Sequence, residues 1–104
     1  MEQLVRKIAK ELKTKISDRY ELREMRIFGS SARGDRREYS DIDIFVCLFQ
    51  VNRQIEETLF DIAYELELKY DCLIDLIVLS DEVTKKKYNV LPIYQKILSE
   101  GITV

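Results

Sequence analysis

Three aspartates stand in the two most apolar runs of the sequence. Asp41 and Asp43 begin the segment DIDIFVCLFQ, and Asp75 lies inside CLIDLIVLS between an isoleucine and a leucine. A carboxylate in apolar surroundings needs a partner, because burial penalises its charge. If the two segments are neighbouring strands in register, the three carboxylates meet, and they must take up a proton or bind a cation. The chain has no histidine, so oxygen-only ligands favour Mg²⁺ or Mn²⁺ over zinc.

Each aspartate also has a purely structural interpretation. Asp41 can be a turn residue, Asp43 a strand-end residue and Asp75 a buried, hydrogen-bonded residue. For any one of them alone, that interpretation is favoured. The structural interpretation is less favoured for the three aspartates together, because Asp75 has apolar neighbours on both sides and needs a partner there.

A Gly-Ser turn precedes the first two aspartates. Gly29 lets a ligand approach the backbone closely, and the N–H groups after it, with the Ser30 hydroxyl, form a cradle for an anion. Such a turn is common by itself. Ten residues before a carboxylate pair, it predicts a site that holds phosphates next to the cations that neutralise them. Phosphoryl or nucleotidyl transfer needs this arrangement, with two metal ions about 3.5–4 Å apart.

The elements that must position these residues follow from hydrophobic periodicity. The sequence predicts a helix over 2–20, a strand over 25–29, a turn helix over 30–33, a strand over 41–50, a helix over 52–70, a strand over 72–80, an interrupted helix over 82–99, and a strand or cap over 100–104. This order predicts an α/β (α+β) fold with a small mixed sheet flanked by helices.

The bulk properties narrow the class of protein. A length of 104 residues predicts one domain over 1–104, and 46% apolar with 35% charged residues predicts a globular chain. The net charge of −2 argues against a broad surface for duplex nucleic acid. We expect no membrane span and a cytoplasmic location. Cys47 and Cys72 are expected to be buried free thiols, and the lysines of 85–87 a solvated helix face.

The motif residues resemble those of a known family. Gly29-Ser30, ten intervening residues, Asp41-x-Asp43 and a later Asp75 resemble the DNA polymerase beta-type nucleotidyltransferase superfamily, and within it the minimal nucleotidyltransferase (MNT) domains. The segment GSSARGDRREYSDIDIFV carries the Gly-Ser-x-Ala-Arg-Gly and Ser-Asp-x-Asp features without a gap. The similarity covers nearly the whole chain and implies a polymerase beta-like nucleotidyltransferase fold.

The resemblance implies a role for each motif residue. Asp41 and Asp43 would ligate two Mg²⁺ ions, with Mn²⁺ as a substitute. Asp75 would complete the catalytic metal site and help to deprotonate an acceptor hydroxyl. Gly29 and Ser30 would hold the β- and γ-phosphates of ATP.

The arginines near the motif are less defined. Arg33 belongs to the family motif, and two roles stay open for it: a contact with the triphosphate, or a salt bridge that braces the loop. Arg36 and Arg37 are expected at the surface, and Ser40 is expected in a turn or cap.

The resemblance also implies a partner. MNT proteins are often the antitoxin half of two-gene modules whose toxin is a HEPN-domain ribonuclease, and family members are similar to enzymes that move AMP from ATP onto a tyrosine of the toxin. This chain is therefore expected to form a hetero-oligomer with such a toxin. The alternative is an antitoxin that binds and occludes its partner without chemistry, through exposed apolar residues among Phe45, Phe49, Tyr64, Tyr88 and Tyr94.

Overall fold

A computed structural model describes residues 2–35, 37, 41–87 and 92–104, apart from the side chains at 86 and 87. Its elements, in chain order, are α1 (Gln3–Ser17), β1 (Leu22–Phe28), α2 (Gly29–Arg33), β2 (Ile42–Leu48), α3 (Arg53–Tyr70), β3 (Ile74–Ser80), α4 (Asp81–Lys87), α5 (Pro92–Glu100) and β4 (Ile102–Thr103). The predicted fold class, a small mixed sheet flanked by helices, is confirmed.

The four strands lie in the order β3-β2-β1-β4. β2 and β3 run parallel and are joined through α3, whereas β1 is antiparallel to both β2 and β4. Parallel neighbours need a helical crossover, and the long amphipathic α3 supplies it. Asn52 caps this helix as expected, since its side chain accepts a hydrogen bond of 2.8 Å from the Ile55 amide.

Helices α1 and α3 cover one face of the sheet. The apolar stripe of α1 is buried against the strands, and alternate residues of β2 point toward it because strand side chains alternate between faces. The fully buried members of this cluster include Ile8, Leu12, Ile16, Ile42, Ile44, Val46 and Leu59. This layer supplies most of the hydrophobic core.

Helix α5 covers the opposite face. Tyr94 and Ile97 of α5 pack with Phe28, Phe45 and Cys47, and the rings of Phe45 and Tyr94 are 5.6 Å apart. The smaller cluster therefore lies on the face of β2 that starts at residue 43, two residues before Phe45.

Some details differ from the sequence-based expectations, and others agree with them. Strand β1 begins at Leu22 rather than at residue 25. The helix that was predicted to be interrupted near Pro92 consists of α4 and α5, as expected, and Pro92 opens α5, where its missing N–H costs nothing. The end of the chain forms a short edge strand, which is one of the two predicted outcomes. Cys47 is buried, but Cys72 is only half-buried, and both are free thiols. Among the described residues, no helix is long and apolar enough to cross a membrane.

Candidate functional site

Asp43 and Asp75 lie side by side on neighbouring parallel strands. They are Cα partners in the register of β2 and β3, each the second residue of its strand. Asp43 is also the cross-strand partner of Phe28, the last residue of β1. The end of β1 and the beginnings of β2 and β3 therefore meet at one edge of the sheet, on the face that α5 covers.

The two carboxylates are electrostatically coupled. Burial raises the pKa of Asp43, and the charge of Asp75, a hydrogen bond with Asp75 and the charge of Asp41 raise it further. Asp41 directly precedes β2 and is exposed, as is Asp75, whereas Asp43 is half-buried. Both of the other predicted carboxylates thus act on Asp43 at this end of the sheet.

This donor set fits a hard divalent cation. It consists of carboxylate oxygens, which Mg²⁺ and Mn²⁺ prefer, and a cation would relieve the repulsion that raises the pKa of Asp43. Within the described part of the chain, however, no three acidic, thiol or imidazole groups are already drawn together as a metal site. Like charges without a counterion repel one another, so Asp41 and Asp75 would have to close on the ion as it binds.

Gly29 forms the wall of the site beside Asp43. Its φ is +66°, and a Cβ built on it would lie 2.2 Å from Oδ2 of Asp43. Only glycine allows both this backbone conformation and this approach. The chain continues into α2, where Ser30 is half-buried. The amides of Gly34 and Asp35 both donate to the Ser30 carbonyl, at 3.0 and 3.1 Å, and close the turn.

Arg33 braces this turn against the far end of the chain. Its Nη1 donates to Oε2 of Glu100 at 2.6 Å, and its Nε donates to Oδ2 of Asp35 at 3.3 Å. The hydrogen bond to Glu100, followed by that to Asp35, raises the pKa of the Arg33 guanidinium. The structure contains the salt bridge, which is one of the two roles left open for Arg33. A contact of Arg33 with the triphosphate stays a prediction. Arg37 is exposed, as expected; residues 36 and 40 lie outside the described residues.

Two residues of α5 belong to the surroundings of the site and were missed by sequence reasoning. Glu100 holds Arg33, and the charge of Lys96 opposes the other influences on Asp43 by lowering its pKa. The sequence analysis gave neither residue a role, and it placed Glu100 after the end of the helix. The available signal was their spacing of four residues, which puts them on one flank of a helix that reaches residue 100.

An apolar ridge lies on the outer face of α3. We use this name for Phe60, Tyr64 and Leu68, which follow one another at four-residue intervals and are 46%, 58% and 67% exposed. Of the apolar residues considered for partner binding, Phe49 and Tyr64 are exposed, whereas Phe45 and Tyr94 are in the core. Residue 88 lies outside the described residues.

Comparisons with known proteins identify a family and a shared fold. Residues 5–102 match the family described as the nucleotidyltransferase domain. A Methanocaldococcus jannaschii protein, provisionally named protein adenylyltransferase MJ0604, is 35% identical over 100 residues, which cover 96% of this chain and 93% of that protein.

Two solved structures illustrate the shared fold. A minimal nucleotidyltransferase superposes with a TM-score of 0.62 at 21% identity and covers 96% of this chain and 95% of its own. A Shewanella oneidensis complex of a tri-AMPylated HEPN toxin with its MNT antitoxin gives a TM-score of 0.60 at 19% identity, over 99% of this chain and 71% of that chain. At these identities the similarity establishes the fold alone.

Proposed function

We propose that this chain transfers AMP from ATP to a hydroxyl group of a partner protein. The chain belongs to the nucleotidyltransferase domain family, and this reaction is one that such a domain can catalyse. The acceptor in this proposal is a tyrosine of a HEPN-domain toxin, and the transfer neutralises the toxin. The pairing of Asp43 with Asp75 next to Gly29 carries the proposal. Relatives named as protein adenylyltransferases and a neighbour in fold that is an MNT antitoxin support it.

The carboxylates have separate roles in this proposal. Asp41 and Asp43 would hold two Mg²⁺ ions, and Asp75 would help to hold one of them. When bound, the ions neutralise the triphosphate and stabilise the leaving pyrophosphate. Asp75 is exposed and so can reach the acceptor hydroxyl and take its proton. The hydroxyl oxygen bonds to the α-phosphorus of ATP, the bond from that phosphorus to the bridging oxygen breaks, and pyrophosphate leaves.

The turn after β1 holds the rest of the nucleotide. The backbone N–H groups after Gly29 and the Ser30 hydroxyl bind the β- and γ-phosphates, and Arg33 keeps the turn in place through Glu100. Because Gly29 is in contact with Asp43, the phosphate-binding turn and the metal-binding carboxylates form one site. Positioning of this kind is the main requirement of the reaction.

Transfer of radiolabel tests the proposal directly. The chain is incubated with Mg²⁺, ATP labelled at the α-phosphate and a HEPN-domain protein encoded beside it, and label on that protein is measured. We expect Asp75→Ala to lower the transfer rate by about a hundredfold or more, as removal of a general base does. Asp61→Ala, at an exposed position of α3, is the matched control and should label at the normal rate.

Variants at the metal-binding pair complete this test. Asp41→Ala and Asp43→Ala should abolish transfer, and EDTA should do the same to the unmodified protein. Undiminished labelling by either variant would refute the proposed chemistry.

A second candidate function is neutralisation by binding alone, and the apolar ridge of α3 favours it. Three large apolar side chains in a row on a solvent-facing helix are typical of a protein-binding surface. In this alternative the occupant is the toxin itself. A chain with Asp41, Asp43 and Asp75 all replaced by alanine would still rescue cells from the toxin, whereas Tyr64→Glu would not. Under the catalytic proposal the triple variant fails to rescue.

A further inference from the structure

We infer that Lys96 is a nucleotide-binding residue that contacts the β- and γ-phosphates of bound ATP and compensates the charge of the leaving pyrophosphate. The inference rests on the proposed function and adds to its site a residue of α5, a helix distant in sequence from the motif. Four features of the structure support it: the position of α5, its rotation, the absence of a competing partner for Lys96, and the charge next to it.

The position of α5 is fixed by two buried anchors. Ile97 is fully buried, and the ring of Tyr94 packs 5.6 Å from that of Phe45. Phe45 follows Asp43 by two residues and therefore lies on the same face of β2. The helix also packs against β1 and α2. It thus runs next to the edge where the carboxylates and the turn after Gly29 meet.

The rotation of α5 turns one flank toward that turn. Lys96 and Glu100 are four residues apart and share this flank. Glu100 forms a salt bridge of 2.6 Å with Arg33 of α2, so the shared flank faces α2. The helix ends immediately afterwards, where the Gly101 amide donates to the Ile97 carbonyl at 2.7 Å. Lys96 is therefore one helical turn from a residue that touches the phosphate-binding turn.

Lys96 has no competing partner among the described residues. Its side chain is exposed and forms no ion pair or hydrogen bond there, and only its backbone carbonyl accepts a hydrogen bond, from the Ser99 hydroxyl at 3.1 Å. Arg33 differs, since Glu100 and Asp35 already occupy its guanidinium. An ammonium group on a flexible stem suits phosphate oxygens as a point charge. Lys96 is thus available for a ligand, whereas Arg33 would first have to give up a salt bridge.

The charge of Lys96 suits a polyphosphate. In the described part of the chain Lys96 forms no salt bridge with Asp43 or Asp75, so its ammonium group is not held as their counterion. Once cations neutralise these carboxylates, the positive charge of Lys96 is left to attract the polyphosphate that the turn holds.

Calorimetric binding of two nucleotides tests this inference in the full chain with Mg²⁺. The probes are α,β-methylene-ATP, which has the β- and γ-phosphates and cannot be cleaved at the α-position, and AMP, which lacks both. We expect Lys96→Gln to weaken binding of the ATP analogue by about tenfold, the loss of one charge-assisted contact. Binding of AMP should not change, and Lys96→Arg should keep most of the affinity for the analogue.

Lys10→Gln is the matched control. Lys10 is an exposed lysine of α1, on the opposite side of the sheet, so its replacement removes the same charge far from the site and should leave both affinities unchanged. Provided that the unmodified protein binds the analogue, two results would overturn the inference. In one, Lys96→Gln weakens binding of AMP and of the analogue equally; in the other, it weakens binding of neither. Failure of the unmodified protein to bind the analogue with Mg²⁺ would instead count against the proposed function itself.

Discussion

The missing side chain of Gly29 makes room for the carboxylate of Asp43. A Cβ at position 29 would lie 2.2 Å from Oδ2 of Asp43, much closer than any non-bonded contact, and the φ of +66° already favours glycine. The turn that follows β1 can therefore approach the beginning of β2 directly. The positions of Gly29 and Asp43, which are fourteen residues apart in the chain, therefore depend on each other.

Replacement of Gly29 by alanine should abolish nucleotide transfer. The new methyl group must displace the Asp43 carboxylate or push the turn away, and either change separates the carboxylate from the phosphate-binding turn. The positive φ adds a stability cost of about 1 kcal/mol. Transfer of labelled AMP and urea unfolding measure the two effects separately.

Gly34→Ala is the control for backbone strain. Gly34 ends α2 with a φ of +81°, but a Cβ there meets nothing within 4 Å. This variant should lose a similar amount of stability, about 1 kcal/mol, and keep its activity. Equal activity in the two variants would show that the contact between Gly29 and Asp43 does not matter for function.

Asp43→Asn should stabilise the metal-free protein at neutral pH although it removes activity. The pKa of Asp43 is raised in the folded protein, so ionisation of this carboxyl opposes folding. Below the unfolded-state pKa of about 3.9 the group is protonated in both states and costs nothing. The cost appears as the pH rises from there through the folded-state pKa, and it is complete above that value.

Urea unfolding in EDTA at pH 7 and below pH 4 checks this pH dependence. The variant should unfold at higher urea than the unmodified protein at pH 7, and the difference should vanish in acid. Mg²⁺ should then raise the unfolding midpoint of the unmodified protein at pH 7 more than that of Asp43→Asn. A variant that is less stable at pH 7 would contradict the inferred repulsion.

The pair of Arg33 and Glu100 should behave as a brace rather than as two independent residues. Arg33→Gln and Glu100→Gln should each lower the urea midpoint only slightly, because solvent screens a pair whose guanidinium group is exposed. The double variant should be no worse than either single one. Transfer rates should fall equally in the two single variants. A much larger loss of activity in Arg33→Gln would indicate that Arg33 also contacts the triphosphate.

Glu11 should stabilise the packing of α1 on α3 without influencing the site. It accepts hydrogen bonds from Lys69, at 2.7 Å, and from the Tyr70 hydroxyl. The bond to Lys69, followed by that to Tyr70, lowers the pKa of Glu11. The stabilisation is therefore present above the unfolded-state pKa and is lost as the pH falls through the folded-state pKa.

Glu11→Gln should accordingly lower the urea midpoint at pH 7 and match the unmodified protein in strong acid. Its binding of Mg²⁺ and nucleotide should be unchanged. Glu65→Gln, at an exposed position of α3, is the control and should have the normal midpoint at both pH values. A shift in nucleotide affinity in Glu11→Gln would mean that the two faces of the sheet are coupled.

The fold class and the residues of interest followed from local features of the sequence. A continuous apolar run identifies the strand around Asp75, because both faces of that strand are covered. Four-residue periodicity identifies the helix that starts after Asn52, because that helix must bury one face. The spacing of Gly29, Ser30, Asp41 and Asp43 is likewise visible without a structure. Element boundaries were less accurate, as at β1, since residues at the ends of a strand are only partly buried.

Contacts between elements distant in sequence needed the tertiary structure. The register that pairs Asp43 with Asp75 depends on how α3 carries the chain from β2 to β3, and the partner of Arg33 is 67 residues away. The position of Lys96 next to the site depends on how Tyr94 and Ile97 seat α5 on the sheet. Periodicity fixes only which face of its own element a residue occupies, whereas the packing of whole elements decides which faces meet.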